Sequence, residues 1–327
     1  MSSKKFNLNP GDTIAGYSII RELGRGNNGI VYLAQQIILE RMVACKILLP
    51  EATREPGYAE AFFREARNAA KLSHPNVVQA LDVGEENGCY YFIMEYVPGK
   101  TLEDIRLENP ARFTPKFLLP LAIQLADALD YAWRCHKMIH GDIKPENIIL
   151  KDNGVTAKLA DLGVARVAGA LEEEGLMATP LYVAPEVVLG NAPPDPRSDI
   201  YSFGVMLYEL FDGNPPFSGS SQQLIQKHIN ERPVPLSQAV PSLDAELAAY
   251  VDRMLAKSMD IRPQSWKEVH DTLNLILQRM KSVPDVPVSR PAEKKKKTEF
   301  VFPQWLKMLL SVAGAVFVTW LIVRLFG

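Results

Sequence analysis

The sequence predicts an α+β protein of two lobes, a small strand-rich lobe followed by a larger helical one. Short apolar runs separated by turns fill most of the first hundred residues. After Thr101 the apolar residues recur mainly at helical spacing. A third feature is an apolar run from Trp305 to Val323, which predicts a separate helix that spans a membrane.

The first lobe is predicted to be a sheet with one helix packed on it. Five runs have strand character, namely YSIIREL, IVYLAQQ, MVACKIL, VVQALDVGEE and CYYFIMEYV. Between the third and the fourth, residues 58–72 place apolar side chains at helical spacing. The second lobe takes its predicted helices from LLPLAIQLADALDYAWRC, DIYSFGVMLYELF and ELAAYVDRMLAK. Ligand sites often lie at such a junction, so we expect a cleft between the lobes.

Composition excludes several classes of protein. The 327 residues are 47% hydrophobic and 23% charged, which is typical of a globular chain. A net charge of -2 gives no support for a nucleic-acid partner. The cysteines Cys45, Cys89 and Cys135 are odd in number and lack metal-ligand spacing. We therefore predict reduced thiols in a cytosolic domain, with neither a disulfide framework nor a structural metal.

Changes in composition give the predicted domain boundaries. The first residues lack the apolar core of a secretory signal, and a stretch rich in Pro and Lys precedes the apolar run. We predict an N-terminal extension at 1–16, a first lobe at 17–97, a second lobe at 98–277, a juxtamembrane linker at 278–304, a transmembrane helix at 305–324 and a short tail at 325–327.

The apolar run fits a single membrane span. At about 1.5 Å per residue its 19 residues reach roughly 28 Å, close to the hydrocarbon thickness of a bilayer. A buried core helix and an interfacial amphipathic helix are the alternatives, but Met308 to Val323 has no polar face. The lysines 294–297 precede the span and only Arg324 follows it, which favours a cytoplasmic globular part. The small residues Ser311 and Ala315 leave open a weak homodimer.

A glycine-rich turn and an isolated lysine suggest a phosphate-binding first lobe. Gly24, Gly26 and Gly29 form a G-x-G-x-x-G pattern between two predicted strands, whereas a dinucleotide fingerprint would open a helix. Glycine lets backbone N–H groups approach phosphate oxygens. Lys46 has apolar neighbours on both sides, so its ammonium should meet an anion, with Glu65 as the candidate. The alternative for Glu65 is a solvated helix face.

The stretch MIHGDIKPENIIL carries the groups that phosphoryl transfer needs. Asp142 would accept a proton from an attacking hydroxyl, Lys144 would neutralise charge on the transferring group, and Asn147 would bind a divalent cation. Asp161 adds a second carboxylate for the metal. The transition state spreads charge over oxygens, so positioning and electrostatics are what a protein contributes.

These motifs together resemble a eukaryotic-type (Hanks-type) serine/threonine protein kinase of the bacterial kind. They appear in the family order between Tyr17 and Leu277. The matching segments are GRGNNGIV, VACK, Glu65, HGDIKPEN, DLG, APE, DIYSFG and Arg262. The resemblance implies the bilobed protein kinase fold, with an antiparallel sheet and one helix in the first lobe and helices in the second.

The resemblance also implies ATP and Mg²⁺ as cofactors and gives each residue a role. Asp142 would be the catalytic base, assisted by Lys144 and Lys46, while Asn147 and Asp161 would bind the metal. Asp199 would support the catalytic loop, and Glu186 would pair with Arg262. The residues implied in nucleotide binding are Gly24, Arg25, Gly26, Gly29, Val31, Ala44, Lys46, Glu65, Met94, Glu95 and Val97.

The implied acceptors are serine and threonine side chains of proteins. Lys144 and Thr179 match the serine/threonine branch, and ATPLYVAPE resembles the segment that docks a polypeptide acceptor. The last feature argues against a small-molecule kinase of similar fold. A membrane-tethered pseudokinase scaffold is the remaining alternative, although all four reactive positions are intact.

One departure from the family concerns regulation. Most members carry Arg before the catalytic Asp to pair with a loop phosphate, whereas this chain has Gly141. From Asp161 to Ala178 there is no Ser, Thr or Tyr. We therefore expect a loop that is not switched by its own phosphorylation. Residues 172–174, all Glu, are either a permanent anionic substitute or a solvated loop tip.

Overall fold

The computed structural model describes residues 8–26, 29–49, 58–161, 166–167, 180–190, 193 and 195–282. Side chains are described at all of these positions except 58, 59, 61, 65, 166 and 167. The predicted linker, apart from its first residues, lies outside the described part, as do the predicted span, Thr179 and the acidic residues 172–174.

The first lobe is an antiparallel sheet of six strands with one helix, as predicted. Its order is β1-β2-β3-β4-β6-β5. The elements are β1 (Thr13–Ile14), β2 (Tyr17–Arg25), β3 (Gly29–Gln36), β4 (Arg41–Leu48), α1 (Tyr58–Ala69), β5 (Ala80–Glu86) and β6 (Cys89–Glu95). Strand β1 lies inside the predicted N-terminal extension, so the sheet begins before residue 17.

Alternation along β3 and β4 gives this sheet a buried face and a face that carries the reactive lysine. Tyr32, Ala34, Val43 and Cys45 pack into one apolar cluster. Successive side chains of a strand point to opposite faces, and directly paired residues share a face. Lys46, which follows Cys45, therefore lies on the face opposite that cluster.

The second lobe is mainly helical, with short hairpin strands beside the lobe junction. Its elements are β7 (Gly99–Thr101), α2 (Leu102–Glu108), α3 (Pro115–His136), β8 (Met138–Ile139), β9 (Ile148–Lys151), β10 (Ala157–Leu159), β11 (Arg166–Val167), α4 (Pro185–Leu189), α5 (Pro196–Asp212), α6 (Ser221–Asn230), α7 (Leu236–Ala239), α8 (Ala245–Met254) and α9 (Trp266–Ser282). Helix α9 continues past residue 277, the predicted end of the lobe.

Helix α5 forms the centre of this lobe. From Ser198 to Leu210 every residue is buried, because other helices and the catalytic segments pack around it. Its start is capped by the Asp195 carboxylate, which accepts the N–H of Arg197. It ends at Gly213, whose φ of +90° is the left-handed conformation that glycine adopts without strain. A rigid, buried helix is a suitable anchor for the loops that lie against it.

Within the described ranges, none of the helices combines the length and the apolar character that crossing a bilayer requires.

Candidate active site

The predicted catalytic loop connects β8 to β9 and is held by Asp199 in the first turn of α5. The Asp199 carboxylate accepts the backbone N–H of His140 at 2.7 Å and of Gly141 at 2.8 Å. Burial raises the pKa of Asp199, while these two N–H groups favour its charged form. This confirms the supporting role that the family resemblance implies for Asp199.

Gly141 adopts a backbone conformation that suits glycine. Its φ is +78°, in the left-handed region that other L-residues adopt only with strain. This turn points the N–H groups of His140 and Gly141 at one carboxylate. The residue that replaces the family Arg therefore also shapes the loop.

Asp142, Lys144 and Asn147 come together as the sequence predicts. Lys144 Nζ lies 2.5 Å from Asp142 Oδ2, and Asn147 Nδ2 donates to Asp142 Oδ2 at 3.0 Å. A further bond from Asn147 Nδ2 to the Asp142 carbonyl oxygen, at 2.8 Å, fixes the amide. The three side chains form one cluster around a buried carboxylate. A carboxylate beside an ammonium is suited to accept a proton while negative charge develops nearby.

An ion pair between Lys46 of the first lobe and Asp161 of the second connects the two lobes. Lys46 Nζ lies 2.7 Å from Asp161 Oδ1. Burial alone would raise the pKa of Asp161, but Lys46, together with His140 and Lys144, outweighs it and holds that pKa below its usual range. The Asp161 side chain keeps 45% of its surface exposed, which limits how far burial can raise its pKa.

Backbone contacts place Asp161 beside the catalytic loop. The preceding residue, Ala160, donates its N–H to the Asn147 carbonyl at 2.8 Å. Its own carbonyl oxygen lies 3.2 Å from His140 Nε2. Lys144 also contributes to the lowered pKa of Asp161. The reactive groups of the two predicted motifs thus lie close together where the two lobes meet.

Three residues predicted to bind the nucleotide, Val31, Ala44 and Met94, share the face of Lys46. Val31 pairs directly with Lys46, and Ala44 pairs directly with Met94. Ala44 and Lys46 are two residues apart on β4, so they point the same way. This face of the sheet therefore carries small and apolar side chains beside Lys46.

The glycine-rich turn lies between β2 and β3, as predicted, with residues 27 and 28 outside the described part. Gly26 donates its N–H to the Gly29 carbonyl at 2.9 Å. A Cβ at Gly29 would lie 2.6 Å from the carbonyl oxygen of Ile47, so only glycine fits there. Gly24 and Arg25 end β2, and Arg25 pairs with Glu22 on the exposed surface.

Of three further residues predicted to bind the nucleotide, the structure describes the side chains of Glu95 and Val97 but not that of Glu65. The Glu95 carboxylate pairs with Lys158 Nζ at 2.7 Å and accepts the N–H of Gln79, so it is directed towards β10 and the residue before β5. The ion pair of Lys158 with Glu95 was not predicted, because nothing in the local sequence KLADLG links the two residues. Val97 is buried at the end of the first lobe. The Glu65 side chain lies outside the described part, and its pairing with Lys46 stays a prediction.

A buried ion pair confirms another contact that the resemblance implies. Both terminal nitrogens of Arg262 donate to Glu186, at 2.8 Å each. Ser198 Oγ donates to the same carboxylate at 2.7 Å. These contacts tie α4 to α5 and so fix the segment that precedes α4.

The side chains present fit the nucleotide and metal that the family uses. Asp161 and Asn147 offer carboxylate and amide oxygens, the ligands that Mg²⁺ prefers. Lys46 offers one ammonium for phosphate oxygens, from the face that carries Ala44 and Met94. The donor set therefore matches a nucleotide triphosphate with its cation.

Comparisons with known proteins agree with this geometry. Residues 17–274 match the family model described as protein kinase domain. The chain is 38% identical over 268 residues to the serine/threonine-protein kinase pkn2 of Myxococcus xanthus, covering 79% of this chain and 32% of the relative. It is 36% identical over 281 residues to the serine/threonine-protein kinase PknB of Mycolicibacterium smegmatis, covering 83% and 44%. The chain thus spans less than half the length of these curated relatives.

A solved structure gives the same result for the fold. The kinase domain of Mycobacterium tuberculosis PknI is 31% identical in sequence, with a TM-score of 0.67, and the match covers 82% of this chain and 98% of that domain. The chain belongs to the protein kinase family and carries a kinase domain of the bacterial serine/threonine type.

Proposed function

We propose that this chain is an active serine/threonine protein kinase, which transfers the γ-phosphoryl group of ATP to protein hydroxyls at the cytoplasmic face of a membrane. The observation that carries the transfer is the convergence of Asp142, Lys144, Asn147 and the Lys46–Asp161 pair where the two lobes meet. A scaffold would not need these groups to be placed together.

The residues have distinct roles in the proposed transfer. The acceptor oxygen forms a bond to the γ-phosphorus while the bond to the β-phosphate oxygen breaks, and the hydroxyl proton passes to the Asp142 carboxylate. Lys144 would neutralise charge on the transferring group, and Lys46 would hold the α- and β-phosphates. Asn147 and Asp161 would hold Mg²⁺, which would supply positive charge to screen the phosphate oxygens.

Acceptor identity is the test of this function. The full chain is incubated with labelled ATP, Mg²⁺ and either a generic protein acceptor or a set of small alcohols, with Lys46→Met as the inactive control. We expect label on serine and threonine of the protein, and none from the variant. Label on small alcohols alone would indicate a small-molecule kinase. No label in any reaction would support the scaffold alternative.

Attachment to a membrane rests on the sequence of the C-terminal run and on the lysines before it. The full chain should sediment with membranes and resist alkaline carbonate, which releases peripheral proteins. Introducing Gly314→Arg at the centre of the run should release much of it, because a central charge disfavours insertion. A wild-type chain extracted by carbonate would contradict the span.

A further inference from the structure

In the second lobe, a series of hydrogen-bonded polar groups ends at Leu181, in the segment that precedes α4. His228, on α6, is completely buried. Its Nε2 lies 3.0 Å from the carbonyl oxygen of Leu181, and its Nδ1 lies 2.8 Å from the hydroxyl of Tyr201. Lys257 Nζ lies 3.2 Å from the same hydroxyl. None of these residues belongs to the site described above.

The partners determine which atom donates in each of these hydrogen bonds. A carbonyl oxygen only accepts, so His228 Nε2 carries the hydrogen and donates to Leu181. Nδ1 is then the acceptor, and Tyr201 donates its hydroxyl hydrogen to it. The Tyr201 oxygen in turn accepts from the Lys257 ammonium. Donation therefore runs in one direction, from Lys257 through Tyr201 and His228 to Leu181.

The surroundings keep His228 neutral. Burial, and then the nearby Lys257 ammonium, lower the pKa of His228 to about 4. Phe217 packs edge-on against the imidazole at 5.0 Å and lies under the Lys257 ammonium at 4.7 Å. The other charged groups near Lys257 are Arg262, which opposes its charge, and Glu231, which favours it. A neutral imidazole with a fixed tautomer is a directional donor.

Tyr182, which follows Leu181, is also held by hydrogen bonds. Tyr182 donates its hydroxyl hydrogen to Glu209 at 2.6 Å, and its carbonyl oxygen accepts from Ser202 Oγ at 2.8 Å. Both of these anchors come from α5, whereas His228 is the anchor from α6. The Leu181 carbonyl is thus the point at which α6 is joined to the segment.

We infer that His228 is a positioning residue for the protein acceptor, because its bond to the Leu181 carbonyl fixes the segment 180–184 against α6. This inference rests on the proposed function and on the resemblance of ATPLYVAPE to the segment that docks a polypeptide acceptor. His228 touches neither nucleotide nor reacting atoms. Its loss should weaken binding of the acceptor and leave the nucleotide site as it was.

The test separates binding of the acceptor from binding of ATP. Steady-state rates are measured for the full chain with a protein acceptor and with ATP, each varied in turn. His228→Met keeps the bulk but leaves the Leu181 carbonyl unpaired, so the acceptor KM should rise about ten-fold. The KM for ATP should stay within about two-fold of wild type. His270→Met, a change at a half-buried histidine on α9, is the matched control and should alter neither constant.

A conservative variant distinguishes the hydrogen bond from simple packing. His228→Gln retains an N–H donor at similar reach and should recover most of the acceptor KM. Tyr201→Phe removes the hydroxyl that fixes the tautomer and should raise the acceptor KM by a smaller factor. Amide hydrogen exchange at residues 181–184 should become faster in His228→Met and Tyr201→Phe, which is a readout independent of activity.

Several results would overturn the inference while the proposed function stands. They are an unchanged acceptor KM in His228→Met, an equal rise in the KM for ATP, or equal behaviour of His228→Gln and His228→Met. If His228→Met does not fold, an unchanged acceptor KM and unchanged exchange in Tyr201→Phe overturn it. A wild-type chain that transfers no phosphate contradicts the proposed function, and the inference falls with it.

Discussion

Lys46 on β4 and Asp161 after β10 are 115 positions apart in sequence, and their Nζ and Oδ1 atoms lie 2.7 Å apart. This ion pair joins the sheet of the first lobe to the catalytic end of the second. It also places an ammonium beside the carboxylate that is proposed to bind the metal. The pair therefore has measurable consequences for both stability and chemistry.

Replacing Lys46 with Met should change how stability depends on pH. The Asp161 pKa is lowered in the folded state, so its stabilising effect is present above the unfolded pKa of about 3.9. That effect is lost as the pH falls through the folded pKa. Urea unfolding measured between pH 3 and pH 7 should show the wild type losing more stability on acidification than Lys46→Met. Parallel curves would contradict a pKa set by this pair.

Replacing Gly141 with Ala should destabilise the protein by about 1 kcal/mol, because a Cβ is strained at a φ of +78°. Gly141→Asn should be milder, since Asn tolerates the left-handed region better than other side chains do. Chemical denaturation of the full chain measures both. If Ala and Asn proved as stable as Gly, the conformation assigned to this turn would be wrong.

Replacing Arg262 with Leu should lower the free energy of unfolding much more than replacing Gly141 with Ala. Glu186 would be left buried without its partner, and breaking a buried ion pair in this way costs about 3–5 kcal/mol. The exposed pair of Arg197 with Asp260 is the matched control, and Asp260→Asn should change the free energy of unfolding much less. Similar losses from the two changes would argue against a structural role for the buried pair.

The active enzyme should not need phosphate on the loop that follows Asp161, nor on the first acceptors after it, Thr179 and Tyr182. Gly141 offers no cation for a phosphate, and the loop sequence has no Ser, Thr or Tyr to receive one. Intact mass and peptide mapping of enzyme preparations of known specific activity test this directly. Treatment with a phosphatase should leave the activity unchanged. Activity that required phosphate at Thr179 or Tyr182 would contradict it.

Local motifs in the sequence predicted most of the fold and the catalytic loop, because the loop residues are close neighbours in the chain. Asp142, Lys144 and Asn147 lie within six positions, so their meeting follows from the loop itself. The antiparallel sheet followed from strand-like runs and from the family resemblance. The structure adds the register that places Val31 opposite Lys46 and Met94 opposite Ala44.

Partners that are distant in sequence could not be predicted in this way. Lys158 is 63 positions from Glu95, and His228 is 47 positions from Leu181. No local spacing marks either pair, since only the packing of separate elements brings them together. The same holds for Gly29, where the carbonyl of Ile47 across the sheet is what excludes a side chain.

The rate of phosphate transfer to a protein acceptor by Asp142→Asn, compared with wild type, tests the central claim most directly. Asn keeps the size of Asp142 but cannot accept the hydroxyl proton, so the rate should fall by at least about 100-fold while ATP still binds. Equal rates for the two proteins would show that the Asp142 carboxylate is not the base.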